Sequence, residues 1–438
     1  MSIDATAASH GAAAPVPRSP GRLLLCLAAV QFGFGFHGVV YTAFGGYFLR
    51  AKFGLAVPEA AQLLGLGILL FGLLQFASGL VADLGVRLYG RKAMLVRVAA
   101  TYTLAWLLFA VLPLPLPAVV GVGLAGLAGS GLPIVLSYLS DHTQRQRSGL
   151  VSGLQEGVLV VGQVAALGAG WLLVGRGLAQ ELVLAVGGLW AAAAALLVWR
   201  LPRDAAGAAP AGGGRGRLRR RLRESAAALG PLLADPATRR LKAVIAVAAA
   251  GPLLAGTFLP LVLIELVADP GRSAGYLAAA TAAGYVLALL LLPALGLWAD
   301  RRGNTPALLL AVLATVAVAL ALTGLSRRPL AVAGVIVLVS FGGRWLNTLQ
   351  RALQLELATA GQRTTFFMAN QLPFFAGLPV GLLLAMAAIR LSGSVATALL
   401  VVAALFAGGA VLWGDQLWRQ RRGARAAAGG AALADAAP

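Results

Sequence analysis

Three ionisable side chains stand in the middle of long apolar runs: His37, Glu156 and Arg344. Such a group in hydrocarbon costs about 2.5–3.5 kcal/mol on insertion scales, so it is by default a functional hypothesis. Arg344 belongs to a polar stripe, Ser340, Arg344, Asn347, Arg351 and Gln354, that recurs at helical spacing. A stripe of that kind must face a cavity or a neighbouring bundle. Its functional reading is an arginine that binds an anion or pairs with a carboxylate, with Asn347 beside it. The alternative is an arginine held structurally by helix-end carbonyls or by an acid. Glu156 has Ser152 at i−4 and Gln163 at i+7. Desolvation there favours the protonated carboxyl unless a cation or hydrogen bonds compensate, which suits a proton carrier. A permanent salt bridge, with Arg344 as one available partner, is the competing reading.

His37 has Tyr41 one turn later, and Gln31, Phe32, Phe34, Phe36 and Phe44 share its run. An intramembrane histidine can shuttle protons, or it can be a hydrogen-bonded packing residue. Asn370-Gln371, followed by Pro373 and Pro379, brings two amides together with helix-bending prolines that free carbonyls. The candidate substrate-binding set is therefore Arg344, Asn347, His37, Gln31, Tyr41, Asn370 and Gln371. Glu156 and His37 are the candidates for proton coupling. Pro252 and Pro260 suggest a bent gating helix, while Glu265 and Glu356 lie at helix ends where solvent reaches them.

Other chemistry is excluded. The single cysteine, Cys26, rules out a disulfide framework, and His10, His37 and His142 are too scattered for a zinc site. Gly33-Phe-Gly35-Phe-His-Gly38 fits the dinucleotide pattern but lies inside an apolar run with no preceding strand. No Lys-Ser/Thr phosphate loop is present, and no clustered acids or activated nucleophile suggest an enzyme. No metal or cofactor is expected.

The elements that position these residues follow from composition. Of 438 residues 59% are apolar and 11% charged, against roughly 25% charged in a soluble domain. A spanning helix needs about 20 mostly apolar residues. Such runs occur at 22–49, 58–82, 93–112, 116–139, 148–174 and 182–200, then at 242–267, 274–298, 306–325, 330–355, 365–390 and 395–417. These are spans 1 to 12, and they predict an all-α integral membrane protein with two pseudo-symmetric six-helix bundles, 22–200 and 242–417. Residues 1–21, rich in Ala, Pro and Ser, read as a disordered tail rather than a cleaved signal. Residues 201–241 run from Gly212-Gly213-Gly214 into Arg219-Arg220-Arg221, a basic linker, and 418–438 form a basic, Ala-rich tail.

The net charge of +20 does not imply a nucleic-acid partner, because the arginines gather in short loops, the linker and the tail. There they report topology and contact with anionic headgroups. With both termini inside, 27 Lys/Arg lie on the inner side and seven outside, so a cytoplasmic location of both termini in a bacterial inner membrane is expected. A monomer is the favoured oligomeric state.

Gly79-Leu-Val-Ala-Asp83 with Gly90-Arg91-Lys92 lies between spans 2 and 3, and Gly296-Leu-Trp-Ala-Asp300-Arg301-Arg302-Gly303 lies between spans 8 and 9. The two copies occupy equivalent places in the halves, 217 residues apart. This resembles the signature loop of the major facilitator superfamily, as does the six-plus-six layout. The first copy carries an insertion, Leu84 to Tyr89. The resemblance implies a secondary transporter of a small organic molecule working by alternating access, with proton coupling and metabolite or drug efflux as the expected subclass. It also implies a gating role for Gly79, Asp83, Gly90, Arg91, Lys92, Gly296, Asp300, Arg301 and Gly303. A membrane sensor or assembly protein on the same fold is the alternative, since fold does not fix function.

Overall fold

In the computed structural model, the described residues are 20–129, 131, 134–135, 148–201, 223, 227, 230–231, 234, 236–246, 251–302, 305–326, 328–357 and 363–435. Among them every regular element is helical. Nine helices are long and apolar enough to cross a membrane. Three shorter apolar helices, Pro115–Ala128, Gly251–Leu266 and Ala376–Ser392, stand where spans 4, 7 and 11 are expected. The protein is an integral, multi-pass membrane protein with about twelve spans.

Local sequence sets the ends and breaks. Span 1 is a helix from Pro20 to Val39, a π-helical turn Val40–Phe44, and a helix Gly45–Phe53. It stops at Gly54, whose φ of 67° gives the left-handed cap that a side chain would resist. Spans 2 and 3 run through Val57–Val111 and are broken only at Gly90, with φ 79° and ψ 161°. The helix of span 2 therefore continues through Leu84–Tyr89, so Asp83 stands inside it and not at its end. This corrects the sequence expectation: the inserted residues lengthen the helix rather than the loop. Lys92, just beyond the break, donates from Nζ to the carbonyls of Val198 (2.9 Å) and Leu201 (2.6 Å). It places a cation on the orphan carbonyls at the end of span 6 (Ala179–Arg200). At the opposite end Lys52 does the same for span 3, bonding the carbonyls of Ala110 (2.6 Å) and Leu112 (2.8 Å).

Span 4 begins as Pro115–Gly123 and tightens into a 3-10 segment, Leu124–Ala128. Three residues per turn stack Gly123, Gly126 and Gly129 on one side. A Cβ at these positions would meet Leu70, the Phe71 backbone and Gln75 respectively, so span 2 lies directly against the stripe. Gly35 and Gly162 do the same for spans 1 and 5, each facing the other helix's backbone. Inside this half, Phe34, Tyr102, Trp106 and Trp190 form a buried or half-buried aromatic cluster, with Tyr102 and Trp190 stacked at 4.5 Å. Large apolar side chains such as Leu290, Leu322 and Leu391 are exposed to what would be lipid, and Tyr89, Trp199 and Trp418 sit exposed near the ends of apolar spans, the usual place of an interfacial aromatic belt.

Packing repeats between the halves: span 2 on span 4 and span 3 on span 6, then span 8 on span 10 and span 9 on span 12. The remaining spans are Ser148–Val174 (5), Pro270–Arg302 (8), Thr305–Leu325 (9), Pro329–Leu357 (10), Arg363–Ser392 (11) and Ala396–Asp435 (12). The last helix thus carries the predicted tail on to Asp435. A helix Pro236–Val244 begins within the predicted linker and leads into span 7. The halves touch through spans 2 and 11 and through spans 5 and 8. At the end opposite the termini, here called distal, Tyr47 of span 1 bonds the buried Ser273 of span 8 across the seam at 3.0 Å. A Cβ on Gly175 or Gly271 would lie 3.9 or 3.7 Å from the other's Cα, so the ends of spans 5 and 8 approach closely there.

Lys92→Met keeps the stem and removes the charged donor. Loss of about 1–2 kcal/mol is expected, read as a lower melting temperature of the purified protein, with Lys92→Arg closer to wild type. An unchanged melting temperature for Lys92→Met would contradict the capping role.

Candidate functional site

A cavity of about 280 Å³ lies at the seam of the two halves. Span 1 contributes Gly38, Val39, Thr42 and Ala43, and span 5 contributes Gln163. The other half supplies Pro252, Leu253, Gly256, Leu259 and Pro260 from span 7, and Leu277, Thr281 and Tyr285 from span 8. Span 10 adds Ile336, Val339, Ser340, Gly343, Arg344 and Asn347, and span 11 adds Phe374.

Close helix approach shapes this wall. A Cβ on Gly284 would lie 2.6 Å from the Ser340 Cβ and 2.7 Å from the Val337 carbonyl oxygen, so spans 8 and 10 meet nearly backbone to backbone. That approach sets the Tyr285 ring 5.2 Å from the Arg344 guanidinium carbon, within cation–π range. Arg344 has further contacts inside the protein. Gly343 lies under Pro252, at 3.0 Å from a notional Cβ, which holds span 10 against the proline of span 7. On span 5, Gln163 is 8% exposed and its Oε1 has no hydrogen-bond partner. An orphaned buried amide costs on the order of 1–3 kcal/mol, which a turn of the amide onto a bound group would recover.

Of the residues singled out in the sequence, the structure brings Arg344, Asn347, Ser340 and Gln163 together at the cavity, with Pro252 and Pro260 in its wall. His37 lies elsewhere. Its ring packs 4.5 Å from Tyr102 and near Phe34, Trp106 and Trp190, inside the first half. Tyr41 joins the same interior, its ring beside Trp106 and Phe109 and its hydroxyl 3.4 Å from the Leu64 carbonyl. Gln31 is buried, with its Oε1 unpartnered, and is not among the cavity residues. The reason is register: His37 and Tyr41 share one face of span 1, and Gly38 and Thr42, about 100° round the helix, share the face that borders the cavity.

Glu156 lies in span 5 two turns before Gln163, and Asn370 and Gln371 lie in span 11 ahead of Phe374. Their side chains are outside the described set, as are those of Asp83, Arg351, Gln354, Gly296, Asp300 and Arg301, and Gly303 is outside it altogether. Gly79 is buried in span 2. Arg91 follows Gly90 and is engaged within the protein.

Thr42, Thr281, Tyr285 and Phe374 are cavity residues that sequence reasoning passed over. Thr281 and Tyr285 carried a usable signal, being hydroxyls four residues apart in an apolar run with Leu277 one turn earlier. Thr42 donates to its own helix at the Gly38 carbonyl, 2.8 Å away, and so presents largely its methyl group.

The structure is similar to that of a proton symporter for D-xylose, with a TM-score of 0.68 and 13% identity over 90% of this chain and 96% of that one. It is similar to a POT family transporter solved with a thioalcohol-conjugated peptide, at TM-score 0.70 and 12% identity, covering 92% and 96%. It also matches the nucleoside transporter NupG, at TM-score 0.64 and 14% identity, covering 90% and 99%. At such identities the likeness speaks for the fold. No curated protein gives a sequence match. The sequence pattern of the Major Facilitator Superfamily, however, matches residues 23–377. With its paired Gly-x-x-x-Asp segments and its two six-helix halves meeting at a cavity, the chain belongs to the Major Facilitator Superfamily.

Proposed function

We propose that the protein is a secondary active transporter that carries a small organic molecule through the seam cavity by alternating access. The observation that supports this most is the cavity itself, because both halves build it and a rocking of one half on the other would expose it to each side in turn. The similarity in fold to a nucleoside transporter, a D-xylose–proton symporter and a POT family transporter bound to a thioalcohol-conjugated peptide supports a solute of that size class. Among the described residues, the Tyr47–Ser273 hydrogen bond joins the halves at the distal end, where Gly175 and Gly271 also approach closely. Opening toward that end requires both to part.

Glu156 is the proposed proton carrier and Arg344 with Asn347 the proposed solute anchor. A carboxyl two turns from Gln163 in a cavity-lining helix is close enough in the chain to couple protonation to occupancy. The Gly79-to-Asp83 and Gly296-to-Asp300 segments are the proposed gating elements at the end that carries the termini. The surplus of Lys/Arg on that side, 27 against seven, supports its being cytoplasmic, and efflux across a bacterial inner membrane is the proposed direction.

Two outcomes follow. In proteoliposomes, Glu156→Gln should abolish transport driven by a pH gradient while solute exchange persists, and unchanged gradient dependence would refute the proton role. Tyr47→Phe removes one hydrogen bond, worth about 0.5–1.5 kcal/mol. Spin labels on Arg176→Cys and Arg272→Cys should then report an open-to-closed ratio at the distal end raised about two- to tenfold. An unaltered distance distribution would show that this bond does not hold the seam.

A further inference from the structure

The cavity is not uniform along the membrane normal, and helix direction shows how. Spans 8 and 10 run from the distal end toward the termini, while spans 1 and 7 run the other way. Ordering the lining by those directions puts Ala43, Leu259, Pro260, Leu277, Ile336 and Val339 at the distal floor. Arg344, Asn347 and Tyr285 stand at the opposite end. At the floor the one polar side chain in the lining, Thr42, has its hydroxyl engaged by the Gly38 carbonyl, whereas the far end carries a guanidinium, an amide and a phenol. From Ile336 to Arg344 the rise is roughly 12 Å.

The two kinds of wall also have different room for change. A Cβ at Gly38 or Gly256 would meet no atom within 4 Å. These glycines therefore keep open space in the cavity rather than serving helix contact, unlike Gly35 one turn before Gly38. Space held open beside apolar walls suits an apolar body. The guanidinium at the other end, even with partners inside the protein, has five N–H donors to distribute and takes a carboxylate in paired geometry. Asn347, one turn on, adds an amide donor.

Resting on the carrier reading above, we propose that the solute is an amphiphilic organic acid that binds in one orientation. Its carboxylate meets Arg344 and Asn347 at the end nearer the termini, and its apolar body points to the distal floor. Tyr285, its ring 5.2 Å from the guanidinium carbon, helps to hold it at the cavity. The half made of spans 7–12 then recognises the charge. Spans 1 and 7 measure the body, with Gly38 and Gly256 setting its permitted width.

The test uses the purified full-length protein in detergent and titration calorimetry with four probes: 3-phenylpropanoate, propanoate, 3-phenylpropanamide and phenethylammonium. Binding of 3-phenylpropanoate should be at least tenfold tighter than that of each other probe, and Arg344→Gln should weaken it tenfold or more. Gly256→Leu, at a position where an added Cβ meets no atom within 4 Å, should weaken 3-phenylpropanoate at least fivefold and propanoate less than twofold. Equal or tighter binding of the amide or the ammonium overturns the proposal and leaves the carrier reading standing. Equal losses for both acids in Gly256→Leu overturn the oriented body. No binding of any probe also overturns the proposal, while two-sided accessibility of the cavity judges the carrier reading separately.

Discussion

Helices in hydrocarbon gain nothing by burying apolar surface against one another, because lipid is as apolar as leucine. What holds this bundle together must therefore come from close packing, and close packing here depends on absent side chains. Glycines stand where backbones meet: the 3-10 stripe of span 4 on span 2, Gly35 and Gly162 between spans 1 and 5, and Gly284 between spans 8 and 10. The last of these brings Tyr285 over Arg344. The site's geometry is thus a consequence of the rule that builds the scaffold.

Charge follows a second rule. A cation in or beside lipid needs carbonyls, rings or an acid, and Lys52 and Lys92 find carbonyls at the ends of spans 3 and 6. Both interactions lie within the first half, so they stiffen that half without tying it to the other. Across the seam, Tyr47 bonds Ser273 and span 2 packs on span 11 and span 5 on span 8. A first half braced within itself in this way is suited to move against the second as a rigid body.

The twelve spans were legible from hydropathy and length, and the membrane class from composition, because the bilayer imposes both directly. Two local features were not. The continuation of span 2 past Asp83 depends on Gly90 being the only residue there to leave the helical region, and a Gly/Arg/Lys turn in sequence does not show where the turn starts. At the site, the ionisable residue in the apolar run of span 10, Arg344, borders the cavity. Residue type did not reveal which face of span 1 borders it. His37 and Tyr41 drew attention as polar groups, yet they pack among Tyr102, Trp106 and Trp190, while the plain Gly38 one residue on borders the cavity. Chemistry-bearing residues announce themselves in sequence, whereas residues that provide space are silent until the neighbours are placed.

The most direct test of the central claim, that this seam cavity opens alternately to both sides, needs no knowledge of the solute. With Cys26→Ala as background, Ser340→Cys places one thiol in the cavity wall. Sealed vesicles carrying the protein are then treated with a membrane-impermeant maleimide from the outside alone or from the inside alone. The account predicts labelling from each side, with labelling from the distal side suppressed and labelling from the side of the termini retained when the halves are cross-linked at the distal end. Labelling confined to one side under all conditions would contradict alternating access and favour a protein that uses the fold without transport.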